Sequence, residues 1–227
     1  MLENIRNKDL KTLGYVLKRT NYGEFDRILN ILTPHGKISA IAKGVRKEKS
    51  KLAGGIEMFT LSEFNIHFGN NELGVVTGAK MKKYHSGIIK DLTKMELAAT
   101  ILKRANKLSE GSDSPDYFDL VDQSFLAISE GERTDIVEAW FLIKTKKIMG
   151  EEMNLYRDVD GKKLDSDQRY DWNNMDLAFY INPNGEYGAD EIKLLRLMVA
   201  NDLNLVRRVK IKNEMIDPIL RLARQVV

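Results

Sequence analysis

The stretch from Tyr22 to Gly55 reads YGEFDRILNILTPHGKISAIAKGVRKEKSKLAGG and organises the rest of the sequence. It contains two apolar runs, Phe25 to Thr33 and Lys37 to Val45, which are separated by a proline and a glycine. Proline and glycine favour turns, so the pattern predicts two short strands with a tight connection between them.

A basic segment follows these two strands. Its five cations are opposed only by Glu48, and they are Lys43, Arg46, Lys47, Lys49 and Lys51. Such a run repels itself unless an anionic partner lies nearby. The glycines at 54 and 55 predict a mobile loop, and the predicted partner is a nucleic-acid backbone. A solvated surface loop is the alternative interpretation.

Three more strands are predicted on either side of this stretch. Leu10 to Arg19 alternates apolar and polar residues except at Val16, and a fifth strand runs from Leu73 to Lys82. In the fourth strand the alternation slips near Ser62 and Glu63, which predicts a β-bulge of the kind that lets small barrels curve. Five strands within about 75 residues fit an oligonucleotide-binding (OB) barrel of the Greek-key type.

Helical patterns begin after Tyr84. Thr93 and Glu96 form a capping-box pattern for a helix to about Leu108. A second helix is predicted from Ser114 and Pro115 to Ile128. Thr134 is predicted to cap a third helix, and helical order returns from Asp190. Residues 149–188 are turn-rich and predict an insertion. The predicted class is therefore α+β, with a barrel domain at 1–84 and a helical domain at 85–227.

Composition limits the function. The 227 residues are 43% hydrophobic and include no cysteine, so a folded protein without disulfides or thiolate metal sites is expected. Residues 1–84 carry a net charge of +7 and the remainder −4, which places the basic character in the predicted barrel. The start lacks a signal-peptide pattern and no apolar run approaches the ~20 residues of a membrane span. A cytoplasmic protein is expected.

Several short motifs within the opening stretch resemble the amino-terminal half of the RecO family. They are Tyr22-Gly23-Glu24, Asp26-Arg27, Leu32-Thr33 with Gly36, the segment from Ala42 to Lys47, and Leu52 to Gly55. The resemblance implies the same OB fold and a recombination mediator that binds DNA, anneals complementary single strands and assists RecA loading. It also implies partnership with RecR and contact with the acidic tail of the single-strand-binding protein.

The resulting candidate site binds single- and double-stranded DNA through ten residues. They are Lys18, Arg19, Tyr22, Arg27, Lys37, Lys43, Arg46, Lys47, Lys49 and Lys51. Aromatic residues near these charges could stack on bases, and the candidates are Tyr15, Tyr22, Phe25, Phe59 and Phe64. Tyr22 is the preferred one because it lies in a predicted turn. For the acidic tail, two basic sets are candidates: Lys103, Arg104 and Lys107, or Arg207, Arg208 and Lys210.

Metal and catalytic motifs are missing from the sequence. Many RecO proteins carry a four-cysteine zinc motif, and this cysteine-free chain cannot hold zinc that way, so the turn-rich insertion is predicted to be zinc-free. Asp158 to Gly161 resembles the start of a calcium loop, but Lys162 stands at the next ligand position, Lys163 at the glycine position and Arg169 where a glutamate should close the loop, which favours a simple turn. No P-loop or nucleophile elbow occurs. No cofactor is expected, and the protein is not expected to be an enzyme.

Three other functions remain open at this stage. The first is an RNA-binding or ribosome-associated OB protein, which would prefer structured RNA. The second is an adaptor whose DNA contact is incidental, and the third is an enzyme acting on nucleic acid through a metal-carboxylate cluster.

Overall fold

The computed structural model describes residues 8–71, 73–110 and 115–225. By contacts the chain divides into two compact units, residues 1–130 and 131–227. This partition groups the helices up to Glu130 with the strands that precede them. The predicted sequence boundary after residue 84 stays a prediction. Among the described residues, no helix is both long enough and apolar enough to cross a membrane.

The first unit is built on five strands that close into a barrel. They are β1 (Lys8–Tyr22), β2 (Asp26–Thr33), β3 (Gly36–Ala42), β4 (Thr60–Phe68) and β5 (Gly74–Tyr84). Their order around the barrel is β1-β2-β3-β5-β4, and β4 pairs back onto β1. All neighbours are antiparallel except β3 and β5, which pair in parallel. Leu29, Ile31, Ala40, Phe64 and Ile66 fill the interior. All five predicted strands are present.

Irregular positions of the barrel lie close to those predicted but differ in detail. The pairing of β1 with β2 shifts register between Val16 and Lys18, where the sequence alternation is interrupted. The predicted β-bulge is confirmed as a register shift between Leu61 and Ser62 in the pairing of β4 with β5, but the predicted change of face within β4 is wrong, because every second residue from Thr60 to Phe68 is buried without interruption. The slip in the sequence arose because two of these inward positions hold polar residues. The extra residue at this register shift lies on β5, near Lys82.

Three α-helices complete the described part of the first unit. They are α1 (Ser86–Ile89), α2 (Leu92–Leu108) and α3 (Asp116–Ser129). The predicted cap Thr93 is wrong, because the side chain of Asp91 accepts the hydrogen bond from the main-chain N–H of Lys94. Ser114 lies outside the described residues, and Pro115 stands at the N-cap position of α3.

A buried polar network joins the barrel to α3. The hydroxyl of Tyr15 on β1 donates to Oδ1 of Asp122 at 2.7 Å and lies 3.0 Å from Nε2 of His85. Burial, followed by the hydrogen bond from its hydroxyl to Asp122, raises the pKa of Tyr15. Burial and the nearby charge of Lys83 lower the pKa of His85 to about 4. The folded state therefore holds this histidine neutral at pH 7.

In its described residues, 131–225, the second unit combines four helices with a small sheet. Its elements are α4 (Thr134–Ile148), β6 (Asn154–Asp158), β7 (Tyr170–Asn173), β8 (Ala178–Ile181), α5 (Ala189–Ala200), α6 (Leu203–Val206) and α7 (Asn213–Gln225). The sheet order is β6-β8-β7. Arg133, not the predicted Thr134, stands at the N-cap of α4.

The segment predicted as a turn-rich insertion contains this sheet, which the sequence did not predict. Phe179 is fully buried, and its ring centre lies 5.0 Å from Trp172 and 5.4 Å from Tyr187. Tyr187 donates from its hydroxyl to the main-chain oxygen of Pro218 in α7, at 3.2 Å. The segment therefore has its own aromatic core and packs as part of the second unit, which corrects its description as a mere insertion.

Gly55 offers a stability test of the barrel. A Cβ at this position would lie 2.4 Å from the main-chain oxygen of Ala79, whereas one at Gly54 would meet nothing within 4 Å. We expect Gly55→Ala to lower the free energy of unfolding by about 1–3 kcal/mol, because the main chain must shift to relieve the overlap. The matched control Gly54→Ala should change it by less than about 0.5 kcal/mol. Urea denaturation measures both, and equal values for the two variants would contradict the packing described.

His85 should make stability depend on pH. Its folded-state pKa of about 4 lies below the ordinary value of 6.5, so between these values the unfolded chain binds more protons than the folded one. The contribution of His85 to the free energy of unfolding is therefore fully present above pH 6.5. It is lost as the pH falls toward 4, by at most about 3 kcal/mol. Denaturation of wild type and His85→Gln across this range isolates the effect. The wild type should lose more stability on acidification, and parallel curves would contradict the prediction.

Candidate nucleic-acid interface

Two loops lie side by side at one end of the barrel. We define the rim as residues 22–27, which join β1 to β2, and residues 43–52, which follow β3. The main-chain N–H of Arg46 donates to the main-chain oxygen of Phe25 at 2.9 Å, and that of Gly44 donates to Oδ1 of Asp26 at 2.7 Å. A third contact, 3.4 Å long, runs from Nη1 of Arg46 to the main-chain oxygen of Gly23. The rim is thus one connected surface.

The basic half of the rim is folded into turns. The main-chain N–H of Lys47 donates to the oxygen of Gly44, and that of Ser50 donates to the oxygen of Lys47, both at 3.1 Å. Gly44 has φ of +62°, a conformation that favours glycine over other residues. The ammonium of Lys47 lies 5.3 Å from the ring centre of Phe25, within range of a cation-π interaction. The predicted mobile loop is therefore a hydrogen-bonded series of turns.

The five cations of this segment all point into solvent. Lys43, Arg46, Lys47, Lys49 and Lys51 are each exposed. Within the parts of the chain that the structure describes, none of the five has a carboxylate ion-pair partner. Their charges are therefore available to an external anion, which is the property that a phosphate-binding surface needs.

The candidate cations on β1 and β2 separate according to the faces of the strands. Lys18 pairs in register with Asn30 and is exposed, whereas Arg19 pairs in register with the interior residue Leu29. Successive side chains of a strand point to opposite faces, so the two cannot serve one surface. Arg19 instead donates to Oε2 of Glu57 at 3.0 Å.

The predicted DNA-binding residues Arg27 and Tyr22 both lie in the rim. Arg27 lies at the rim and donates from Nε to Oδ1 of Asn21 at 3.2 Å. Tyr22 lies at the end of β1 with 56% of its surface exposed. Tyr22 and Arg27 therefore lie in the rim with the basic segment, and Lys18 lies on the outer face of β1 four residues before it.

Lys37, another of the ten predicted DNA-binding residues, does not lie on an open surface. Its side chain is only 11% exposed, and Nζ donates to the main-chain oxygen of Asn106 in α2 at 2.8 Å. Asn106 also accepts a 2.8 Å hydrogen bond through Oδ1 from the amide of Asn30 on β2. Lys37 thus helps to attach α2 to the barrel and is not available to a ligand.

The aromatic candidates divide in the same way. Tyr15 and Phe64 are buried, and the ring of Phe59 packs edge-on against Phe125. Tyr22 and Phe25 are exposed and both lie in the rim. These two aromatic rings are therefore the ones in a position to stack on bases beside the cations.

The sequence reasoning missed a second group of exposed cations on the barrel wall. We call it the β5 strip, and it consists of Lys11, Lys80, Lys82 and Lys83. Lys11 and Lys82 lie 3.5 Å and 3.3 Å from the two carboxylate oxygens of Glu63 on β4. The hydrogen bond from Lys82 is the main cause that holds the pKa of Glu63 below its usual value. Three lysines within residues 80–83 were the available signal.

The two basic sets predicted to bind the acidic tail are each partly exposed. Arg207 donates from Nε to Oε2 of Glu132 at 3.0 Å, whereas Arg208 and Lys210 are exposed. In the alternative basic set, Lys103 and Lys107 are exposed and Arg104 is half-buried.

The segment that resembles a calcium loop is a turn. Oδ1 of Asp158 accepts main-chain N–H groups from residues 160 and 162, at 3.0 Å and 2.8 Å, as in an ordinary turn. Among the described residues, no three His, Asp or Glu side chains meet as metal ligands.

Comparison with known proteins places the chain in a family. Residues 8–85 match the family model for the N terminal part of Recombination protein O, and residues 89–227 match the model for its C terminal part. The DNA repair protein RecO of Dehalococcoides mccartyi is 28% identical over 223 residues, which cover 92% of this chain and 85% of that protein.

Two further relatives match over shorter stretches. The DNA repair protein RecO of Rubrobacter xylanophilus is 31% identical over 142 residues, 62% of this chain and 57% of that protein. Its counterpart in Moorella thermoacetica is 32% identical over 139 residues, 60% of this chain and 51% of that protein. Because the two family models together span residues 8–227 with a gap of only three, the chain belongs to the RecO family of recombination and DNA repair proteins.

Proposed function

We propose that this protein binds DNA through the rim of its barrel and anneals complementary single strands during recombinational repair. The observation that carries the proposal is the meeting of two loops at one barrel end, which places five exposed cations beside two exposed aromatic rings. Cations bind the sugar-phosphate chain without regard to sequence, and aromatic rings stack on bases of any kind. This combination suits a protein that must accept arbitrary single strands.

The barrel itself supports this proposal. The strand order β1-β2-β3-β5-β4 with one parallel closure is compatible with an OB fold, a five-stranded Greek-key barrel that binds oligonucleotides. In that fold the β1–β2 loop is one of the elements that contact the ligand, and here it forms half of the rim. We therefore assign the first unit to the OB type.

The proposed mechanism is electrostatic and uses no bond chemistry. Two complementary strands repel each other through their phosphates, and this repulsion opposes the first base pairs. Cations on the barrel offset that charge and hold the strands close together, so pairing proceeds without ATP. The protein on this account accelerates annealing by proximity and charge neutralisation, and no catalytic residue is assigned.

Family membership extends the proposal to partners. We include RecR, the acidic tail of the single-strand-binding protein and a functional link to RecA loading, in the cytoplasm at the nucleoid. For the tail, the exposed cations Lys103 and Lys107 of α2 are available, as are Arg208 and Lys210 in the second unit. Arg207 is the weaker candidate because Glu132 already neutralises it.

Charge reversal at the rim tests the proposal. In the variant Lys43→Glu/Arg46→Glu/Lys47→Glu, three phosphate contacts are lost. Each contributes roughly 0.6 log units of affinity at 0.15 M salt if ~0.7 counterion is released per contact. We expect single-strand affinity to fall at least about 50-fold and annealing to slow accordingly. Fluorescence anisotropy with a labelled oligonucleotide measures the affinity.

A matched control removes the same net charge elsewhere. Lys163, Lys193 and Lys212 are exposed residues of the second unit, and reversing all three should leave single-strand affinity within about threefold. Equal losses in the two variants would show that only net charge matters and would contradict a binding rim. Stronger binding of structured RNA than of single-stranded DNA would favour the RNA-binding alternative instead.

The salt dependence provides an independent measurement. If Lys18 and the five exposed rim cations each contact one phosphate, the logarithm of the affinity should fall against the logarithm of the salt concentration with a slope near roughly −4, at ~0.7 per phosphate. The triple reversal should reduce this slope by about 2. Titrations between 0.05 and 0.3 M salt determine it, and a wild-type slope near zero would remove the proposal.

A further inference from the structure

The β5 strip lies on the outer wall of the barrel, along a different part of β1 from the rim. Across the strands, Leu13 on β1 is in register with Glu63 on β4, and Glu63 is in register with Lys80 on β5. The rim begins at Tyr22, nine residues further along β1. At ~3.3 Å per residue this is a path of up to about 30 Å. Along β1 the two basic surfaces are therefore distinct, and they approach each other where Gly55, four residues after Lys51, lies against Ala79 beside Lys80.

The strip is arranged around a single carboxylate. β1 and β5 flank β4, so lysines from two strands that are roughly 10 Å apart converge on Glu63 between them. Four lysines against one glutamate leave a local charge of +3. Lys80 and Lys83 are exposed and, within the described chain, have no carboxylate partner of their own. The surface therefore still attracts anions after its internal ion pairs are counted.

A neutral donor lies within the same surface. Asn65 on β4 is in register with Lys11 on one side and Gly78 on the other. A Cβ at Gly78 would lie 2.9 Å from Nδ2 of Asn65, so the amide of Asn65 occupies the space above the glycine. Asn65 is exposed. An amide N–H beside ammonium groups is a combination that binds phosphate oxygens.

We propose that the β5 strip is a second phosphate-binding surface, which holds the second nucleic-acid strand while the rim holds the first. This inference rests on the proposed function, because it concerns how annealing brings two strands onto one barrel. Glu63 has a defined part in it: its carboxylate pairs with Lys11 and Lys82, two of the four lysines of the strip, whereas none of the five cations from Lys43 to Lys51 has a carboxylate partner among the described residues. The second strand is therefore held more weakly than the first.

Co-binding of two non-complementary labelled oligonucleotides tests the inference, with energy transfer between the labels as the readout. Lys80→Glu/Lys83→Glu removes two contacts, so the affinity for the second strand should fall at least about 15-fold. Affinity for a first strand, measured with protein in excess, should stay within about twofold of wild type. Lys80→Gln/Lys83→Gln removes the charge without adding a new one, and it should give a smaller loss in the same direction.

Glu63→Gln provides the opposite change. It removes the carboxylate that pairs with Lys11 and Lys82 and raises the local charge by one, so the energy-transfer signal should appear at a second-strand concentration severalfold lower. Because ion pairing at exposed sites contributes little to stability, the unfolding temperature should change little. A weaker signal in this variant would contradict the role given to Glu63.

The outcomes separate this inference from the proposed function. If the strip variants bind a second strand as wild type does, the strip is only a solvated wall and the inference is wrong. If they lose the first strand as strongly as the rim variant does, one strand runs across both surfaces and the two-surface arrangement is wrong. If the charge reversal at the rim leaves single-strand binding unchanged, the proposed function is wrong.

Discussion

The parallel pairing of β3 with β5 is the constraint on which the rest of the barrel depends. β3 and β4 follow each other in the sequence, but β5 lies between them in the barrel. The chain from Ala42 to Thr60 therefore has to cross one end of the barrel before β4 begins. Gly55 lies directly against the main chain at Ala79, which fixes this crossing close to the barrel. The position of the basic segment thus follows from strand order and not from its charges.

Cations of the first unit have two different uses, and position decides between them. Arg19 and Lys37 lie where acceptors from other elements are within hydrogen-bond distance, and both are engaged in holding the fold. The cations from Lys43 to Lys51 lie on a turn that is held by main-chain hydrogen bonds, by one aromatic ring and by the carboxylate of Asp26, which accepts from the main-chain N–H of Gly44. None of these contacts pairs one of the five cations with a carboxylate. The turn can therefore be rigid and remain strongly positive.

Sequence reasoning succeeded where the pattern was local and failed where distant residues decide. The five strands follow from period-two alternation, and the β1 bulge lies beside Val16, where that alternation breaks. The contact that holds Lys37 against α2 could not be predicted, because its acceptor Asn106 is 69 residues away in the sequence. The sheet of the second unit was missed because its strands are only four or five residues long and rely on the aromatic contacts of Phe179. The β5 strip was visible as a lysine cluster, but Lys11 joins it only through barrel register.

A protein that brings two polyanions together must also let the product leave. One continuous basic groove would grip a duplex more strongly than either single strand, because the duplex carries twice the phosphate charge. Unequal surfaces avoid this outcome. On the proposed arrangement, Glu63 competes with phosphate for Lys11 and Lys82, so the strip binds through contacts that exchange readily. Once base pairing holds the second strand to the first, its contacts with the strip are no longer needed. A carboxylate that weakens binding would then contribute to turnover.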